Sequence, residues 1–149
     1  MEKITRSVVI AAPASVAFEF LADPGNLPGI WPSMVETTHR EVRPDGGHRF
    51  DWGYRMAGMV FHGHAETVEV ERDRLRVDRT EGGIPSTFRW TFAPGAAATE
   101  VGLEVQYELP AVFGWLAAPL LRRVNTSDAE GLLANLKARL EAPAAAAGA

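Results

Sequence analysis

Between Met34 and Leu109 the chain runs through six consecutive strand-like stretches, most of them alternating apolar and polar residues, separated only by short turns. That one feature leaves few folds open. In His48 to Met56, Phe50, Trp52, Tyr54 and Met56 share one phase while Arg49, Asp51 and Arg55 take the other. Ser86 to Phe92 sets Phe88, Trp90 and Phe92 against Arg89 and Thr91. The cleanest stretch alternates Val101, Leu103, Val105, Tyr107 and Leu109 with Gly102, Glu104, Gln106 and Glu108. Val60 to Val70 and Leu75 to Arg79 lie between them, and a less regular Met34 to Val42 begins the series. The breaks fall near Gly58, at Arg72-Asp73-Arg74, at Gly82-Gly83 and at Pro94-Gly95. Strands joined by turns this short pair antiparallel, because a parallel pair needs a crossover of a dozen or more residues. Such a meander keeps one face toward a core and one toward water.

What flanks the meander completes the outline. Ile4 to Ala11 is rich in β-branched residues and reads as a strand. Pro13 suits a helix entry, and Val16, Ala17, Phe20 and Leu21 have helical spacing. Asp23-Pro24-Gly25-Asn26 stops that helix, leaving room for one more turn at Leu27 to Ile30. After Pro110 the apolar period lengthens: Phe113, Leu116, Leu120, Val124, Leu132, Leu136 and Leu140 mark a long amphipathic helix, which Pro119 is expected to kink or delay. Strand, short helices, six strands and a long helix make an α+β chain.

Composition narrows the function classes. The 149 residues contain no cysteine, which excludes disulfides, thiolate zinc sites and cysteine nucleophiles. A net charge of −4 argues against a broad nucleic-acid footprint. No stretch reaches the ~20 apolar residues of a membrane span, and the first residues lack a signal-peptide apolar run. The expectation is one cytoplasmic domain over residues 1–142, monomeric or homodimeric, followed by a flexible Ala-rich tail at 143–149.

Three segments carry a family resemblance. Val8-Val9-Ile10-Ala11-Ala12-Pro13-Ala14-Ser15-Val16-Ala17-Phe18 leads an apolar strand through Ala-Pro into a helix. Leu21-Ala22-Asp23-Pro24-Gly25-Asn26-Leu27-Pro28 supplies an Asp-Pro turn, and Trp31-Pro32 stands shortly before the next strand. These segments, with the element order, resemble the START-like (SRPBCC) superfamily, in its polyketide cyclase/dehydratase-like branch, over Ile4 to Glu141. The resemblance implies a helix-grip fold: a curved seven-stranded antiparallel sheet around the long C-terminal helix, with two short helices between strands one and two. It also implies a cavity between sheet and helix for a hydrophobic or aromatic small molecule. Some members are cyclases or dehydratases, others carry lipids or activate chaperones, so the fold does not choose a function.

The inner face, taken from positions alternating with charge, collects Phe50, Trp52, Tyr54, Met56, Phe88, Trp90, Phe92 and Tyr107, with Val68, Val70, Leu75, Val77, Leu103 and Val105. The helix adds Phe113, Leu116, Leu120 and Val124. These side chains either fill a core or wall a pocket of about 300–1,000 Å³. Counting back by twos from Val68 and Val70 turns Glu66, His64 and His62 inward, as metal ligands or a proton-transfer pair. A bulge near Gly63 would reverse this, bringing Phe61 in and turning the histidines out. Arg79, in phase with Leu75 and Val77, either clamps a ligand carboxylate or reaches solvent. Asp128, four residues beyond Val124, either enters the cavity or is solvated.

The candidate catalytic residues are therefore His62, His64, Glu66 and Arg79. The candidate ligand contacts are the eight strand residues from Phe50 to Tyr107 together with His62, His64, Arg79, Leu116, Leu120, Val124 and Asp128. No cofactor and no resident metal are expected. Binding of a hydrophobic small molecule ranks first, a cyclase/dehydratase-type enzyme second and a protein-interaction module third.

Overall fold

A computed structural model describes residues 1–56, 58–109 and 114–142. Phe113 and the 143–149 tail lie outside them. Strand β1 (Glu2–Ile10) is followed by helix α1 (Ala14–Ala22), a 3-10 turn (Pro24–Asn26) and the short α2 (Leu27–Ile30). Strands β2 (Met34–Val42), β3 (His48–Met56), β4 (Met59–Glu71), β5 (Leu75–Glu81), β6 (Ser86–Pro94) and β7 (Thr99–Tyr107) form the meander, and α3 (Gly114–Leu140) closes the chain. All seven strands make one antiparallel sheet in the order β1-β7-β6-β5-β4-β3-β2. This is the α+β helix-grip architecture. Among the described residues no helix is long and apolar enough to cross a membrane.

Local chemistry explains the boundaries. Pro13 stands just before α1 in an extended conformation, and its carbonyl accepts the first helical bonds from Val16 and Ala17 at 3.1 and 3.3 Å. Asp23 ends that helix with an Asx turn, its carboxylate accepting from the Gly25 N–H at 2.9 Å. Ala17, Phe18, Leu21 and Ala22 form the buried side of α1.

Helix α3 lies against the sheet and is tied down along its length. Glu130 accepts from Arg6 of β1 at 3.1 Å, the Asn135 amide donates to the Ile30 carbonyl at 2.9 Å, and Lys137 Nζ donates to the Val9 carbonyl at 2.7 Å. Pro119 sits within the helix, near its start. Among the described side chains of α3, Leu121, Ala129, Leu132, Leu133 and Leu136 are buried, whereas Leu116 and Leu120 are 76% and 58% exposed. The expected stripe at 116, 120, 124 and 132 therefore does not face the sheet as a unit. Steps of four residues overshoot a 3.6-residue turn by about 40° each, so four steps carry a stripe about 160° round the helix.

The sheet's inner face follows the alternation on three strands and departs from it on two. Phe50, Trp52 and Met56 on β3, Trp90 and Phe92 on β6, and Val101 through Tyr107 in alternation on β7 are all buried. On β4 the register against β5 slips between Thr67 and Glu69. This bulge places Phe61, Gly63, Ala65 and Thr67 inward and leaves His62, His64, Glu66 and Val68 exposed on the other face, while Val70 packs on the core. Counting back from Val70 crosses the extra residue and so lands on the wrong side. On β5, Arg76, Asp78 and Thr80 pair with Trp90, Phe88 and Ser86 and share the inner face. Leu75 and Val77 are buried in the opposite phase, and Arg79, paired with Thr87, is exposed. Charged residues on this one strand point inward, which a rule placing charge outside cannot detect.

Candidate functional site

The inner face, α3 and the α2 region enclose a cavity of about 100 Å³. It is smaller than the expected pocket because large rings occupy much of the space. Trp31, which follows α2, is the hub: its ring meets Phe88 edge-to-face at 5.1 Å and Tyr54 at 6.0 Å, and Tyr54 meets Trp52 at 6.4 Å. Such T-shaped pairs hold ring orientations beyond what area burial gives.

Two polar clusters interrupt the apolar lining. At α3, the Asp128 carboxylate accepts from the Ser33 hydroxyl at 2.9 Å on one oxygen and from the Tyr54 hydroxyl on the other. Burial, then the Asp128 charge and the hydrogen bond to it, push the Tyr54 phenol well above its ordinary value of 10.0. At α1 and β5, His48 Nδ1 lies 3.0 Å from the Ala22 carbonyl, which can only accept, so this nitrogen carries the hydrogen. His48 Nε2 then faces Asp78 at 3.4 Å, while the Thr67 hydroxyl donates to Asp78 at 2.6 Å and accepts from the His48 N–H at 2.9 Å. The buried Trp52 indole nitrogen and His48 Nε2 have no hydrogen-bond partner. Beyond the cavity wall, the fully buried Arg76 guanidinium also lacks one and lies over the Phe18 ring at 4.7 Å. Desolvation lowers its pKa, against the attraction of Asp78.

The Tyr54 shift has a testable sign. A phenol held protonated by the fold stabilises it fully below the unfolded value of 10.0, and that contribution drains away as pH rises above it, because only the unfolded chain releases the proton. Wild-type protein should therefore lose stability through this window more steeply than Tyr54→Phe, measured by urea unfolding at stepped alkaline pH. Near-ultraviolet difference spectra between the two should show no Tyr54 phenolate while the protein is folded at pH 10–11.

Of the sequence candidates, Phe50, Trp52, Tyr54, Met56, Phe88, Trp90, Tyr107 and Asp128 line the cavity. Phe92 instead packs on Phe18 at 5.6 Å, and Val124 is half-buried outside the lining. Leu116, Leu120, His62, His64, Glu66 and Arg79 stand apart from it. His64 pairs with Glu81 at 2.9 Å rather than with Glu66, His62 lies 3.9 Å from Glu36, and Glu66 lies 3.7 Å from Arg43. These are surface pairs. Among the described residues no group of three His, Cys, Asp or Glu side chains is placed to hold a metal ion. Trp31, Ser33, His48 and Asp78 join the site without being among the sequence candidates. Asp78 does leave a trace in the sequence, as an acidic residue inside a strand between Val77 and Arg79. His48 carries no local signal.

Comparison with known proteins follows the same outline. The family described as polyketide cyclase / dehydrase and lipid transport matches residues 1–141, and the chain belongs to that family. No curated protein matches it. Among solved structures, TTHA0849 from Thermus thermophilus superposes with a TM-score of 0.76 at 24% identity, covering 99% of this chain and 100% of that one. StfQ, the di-domain ARO/CYC of the steffimycin biosynthetic pathway, gives a TM-score of 0.76 at 20% identity over 99% of this chain. The match covers 52% of StfQ, so this chain spans about half its length. A START superfamily protein from Mycobacterium smegmatis gives 0.74 at 17% identity, covering 93% of this chain and 97% of that one. At these identities the likeness speaks for the fold.

Proposed function

We propose that this protein binds a small hydrophobic or aromatic molecule in the cavity between the sheet and α3. The observation that carries this reading is a cavity between the sheet and α3 walled by the rings of Trp31, Trp52, Tyr54 and Phe88. A ligand much larger than one ring requires side chains to move, since the cavity holds only about 100 Å³.

Native mass spectrometry of freshly purified protein should reveal a co-purifying small molecule, and the neutral dye N-phenyl-1-naphthylamine should bind with a rise in fluorescence. Ala129→Phe projects a ring from α3 into the cavity and should weaken dye binding roughly tenfold or more, about 1.4 kcal/mol or above. Unchanged dye affinity in a folded Ala129→Phe protein would remove the cavity as the binding place.

A second reading, a cyclase/dehydratase-type enzyme, draws on the two acid–base clusters that face one cavity, Tyr54–Asp128 and His48–Asp78. The fold shared with the ARO/CYC protein StfQ is consistent with it. In this reading the cavity confines a reactive polyketone while Tyr54 or His48 moves a proton. His48→Asn that keeps dye affinity but abolishes turnover of an added polyketone supports the enzyme. Absence of turnover in the wild type leaves the binding reading.

A further inference from the structure

Charge in the cavity is one-sided. The lining includes two carboxylates, Asp78 and Asp128, and neither Lys nor Arg. Asp78 is compensated: the Thr67 hydroxyl donates to it, and Arg76 attracts it from the same strand face. Asp128 is not. Its hydrogen-bond donors are the neutral hydroxyls of Ser33 and Tyr54. Among the described residues no basic nitrogen lies within 4.0 Å of it. A half-buried carboxylate without a counter-charge is costly, and proteins ordinarily pair such groups.

Aromatic rings stand close to Asp128. Tyr54, whose hydroxyl bonds Asp128, shares an edge-to-face cluster with Trp31, and Phe88 packs on Trp31. Aromatic faces within about 6 Å attract a cation through the ring quadrupole, most strongly where water is excluded. Each Asp128 oxygen accepts one hydrogen bond and keeps a lone pair, so an ammonium can donate to both. The volume of about 100 Å³ is comparable to the ~150 Å³ hole that admits benzene, so the apolar body of a tightly held ligand is one ring.

We propose that the cavity selects a protonated amine carried on a single aromatic ring, its ammonium on Asp128 and its ring among Trp31, Trp52 and Phe88. This rests on the cavity being a ligand site and names the charge that site takes. It reverses the expectation of an Arg79 clamp for an anion.

The test is a charge series of one size: phenethylamine, 2-phenylethanol and 3-phenylpropionate, each displacing N-phenyl-1-naphthylamine near neutral pH and each followed by calorimetry. Phenethylamine should bind roughly tenfold tighter than either of the others. Asp128→Asn should weaken phenethylamine by about tenfold and change 2-phenylethanol by less than about threefold, which also shows the variant folded. Should Asp128→Asn fail to fold, the wild-type series decides alone. Equal or tighter binding of the alcohol or the carboxylate overturns the proposal, as does an amine preference that survives in Asp128→Asn. If the dye binds and none of the three displaces it, the one-ring amine is refuted and the pocket reading stands. If neither the dye nor any of the three ligands binds by calorimetry, both fall.

Discussion

Gly63→Ala should destabilise the protein by about 3 kcal/mol and weaken dye binding in the same step. Gly63 faces inward on β4, opposite Trp52 of β3. A Cβ there would stand 2.1 Å from the Glu81 carbonyl oxygen and 2.4 Å from the Trp52 ring. Neither obstacle is the free end of a flexible side chain: one is backbone of the neighbouring strand, the other a packed indole. Relief requires β4 and β5 to part or Trp52 to leave its place against Gly63 and Gly83, and Trp52 is a wall of the cavity. For a chain of this size the loss corresponds to a fall in Tm of roughly 6–12 °C, read by calorimetry. A fall of less than about 2 °C with unaltered dye affinity would mean that the close approach of strand and indole is not needed.

Phe18→Ala should cost about 3–5 kcal/mol by urea unfolding. The Phe18 ring is fully buried, meets Phe92 edge-to-face at 5.6 Å and abuts Gly46, where a Cβ would come within 2.7 Å of it. Its face also lies 4.7 Å from the Arg76 guanidinium, whose nitrogens have no hydrogen-bond acceptor. The ring therefore fills volume and faces a buried cation. Phe18→Leu keeps most of the volume and removes the ring face, so a double-mutant cycle with Arg76→Met isolates the second role. A coupling energy of about 1–2 kcal/mol is expected. Coupling below about 0.3 kcal/mol would show that the ring serves Arg76 only by packing.

How much of the site was legible depended on whether its signal was local. The aromatic wall was: Trp52 and Tyr54 on β3 and Phe88 and Trp90 on β6 alternate with polar residues inside their own strands. Asp128 was legible only as one of two alternatives, because a single helical position shows its phase but not what stands opposite. The histidines of β4 were turned outward by the slip between Thr67 and Glu69, a property of two paired strands and not of either one. Leu116 and Leu120 misled because a row of four-residue steps looks straight in sequence and spirals on a helix.

The sequence by itself determined the order of the elements, the antiparallel pairing and the inward phase of β3, β6 and β7. These follow from period, turn chemistry and chain connectivity, all properties of neighbouring residues. Tertiary structure alone decided the phase of β4 and β5, the face of α3 that meets the sheet, the size of the cavity and its charge. The Tyr54–Asp128 bond spans 74 positions and the Ser33–Asp128 bond 95. His48 finds Ala22 and Asp78 only through folding. That Asp128 stands without a basic partner is likewise set by packing, which no single stretch of sequence shows.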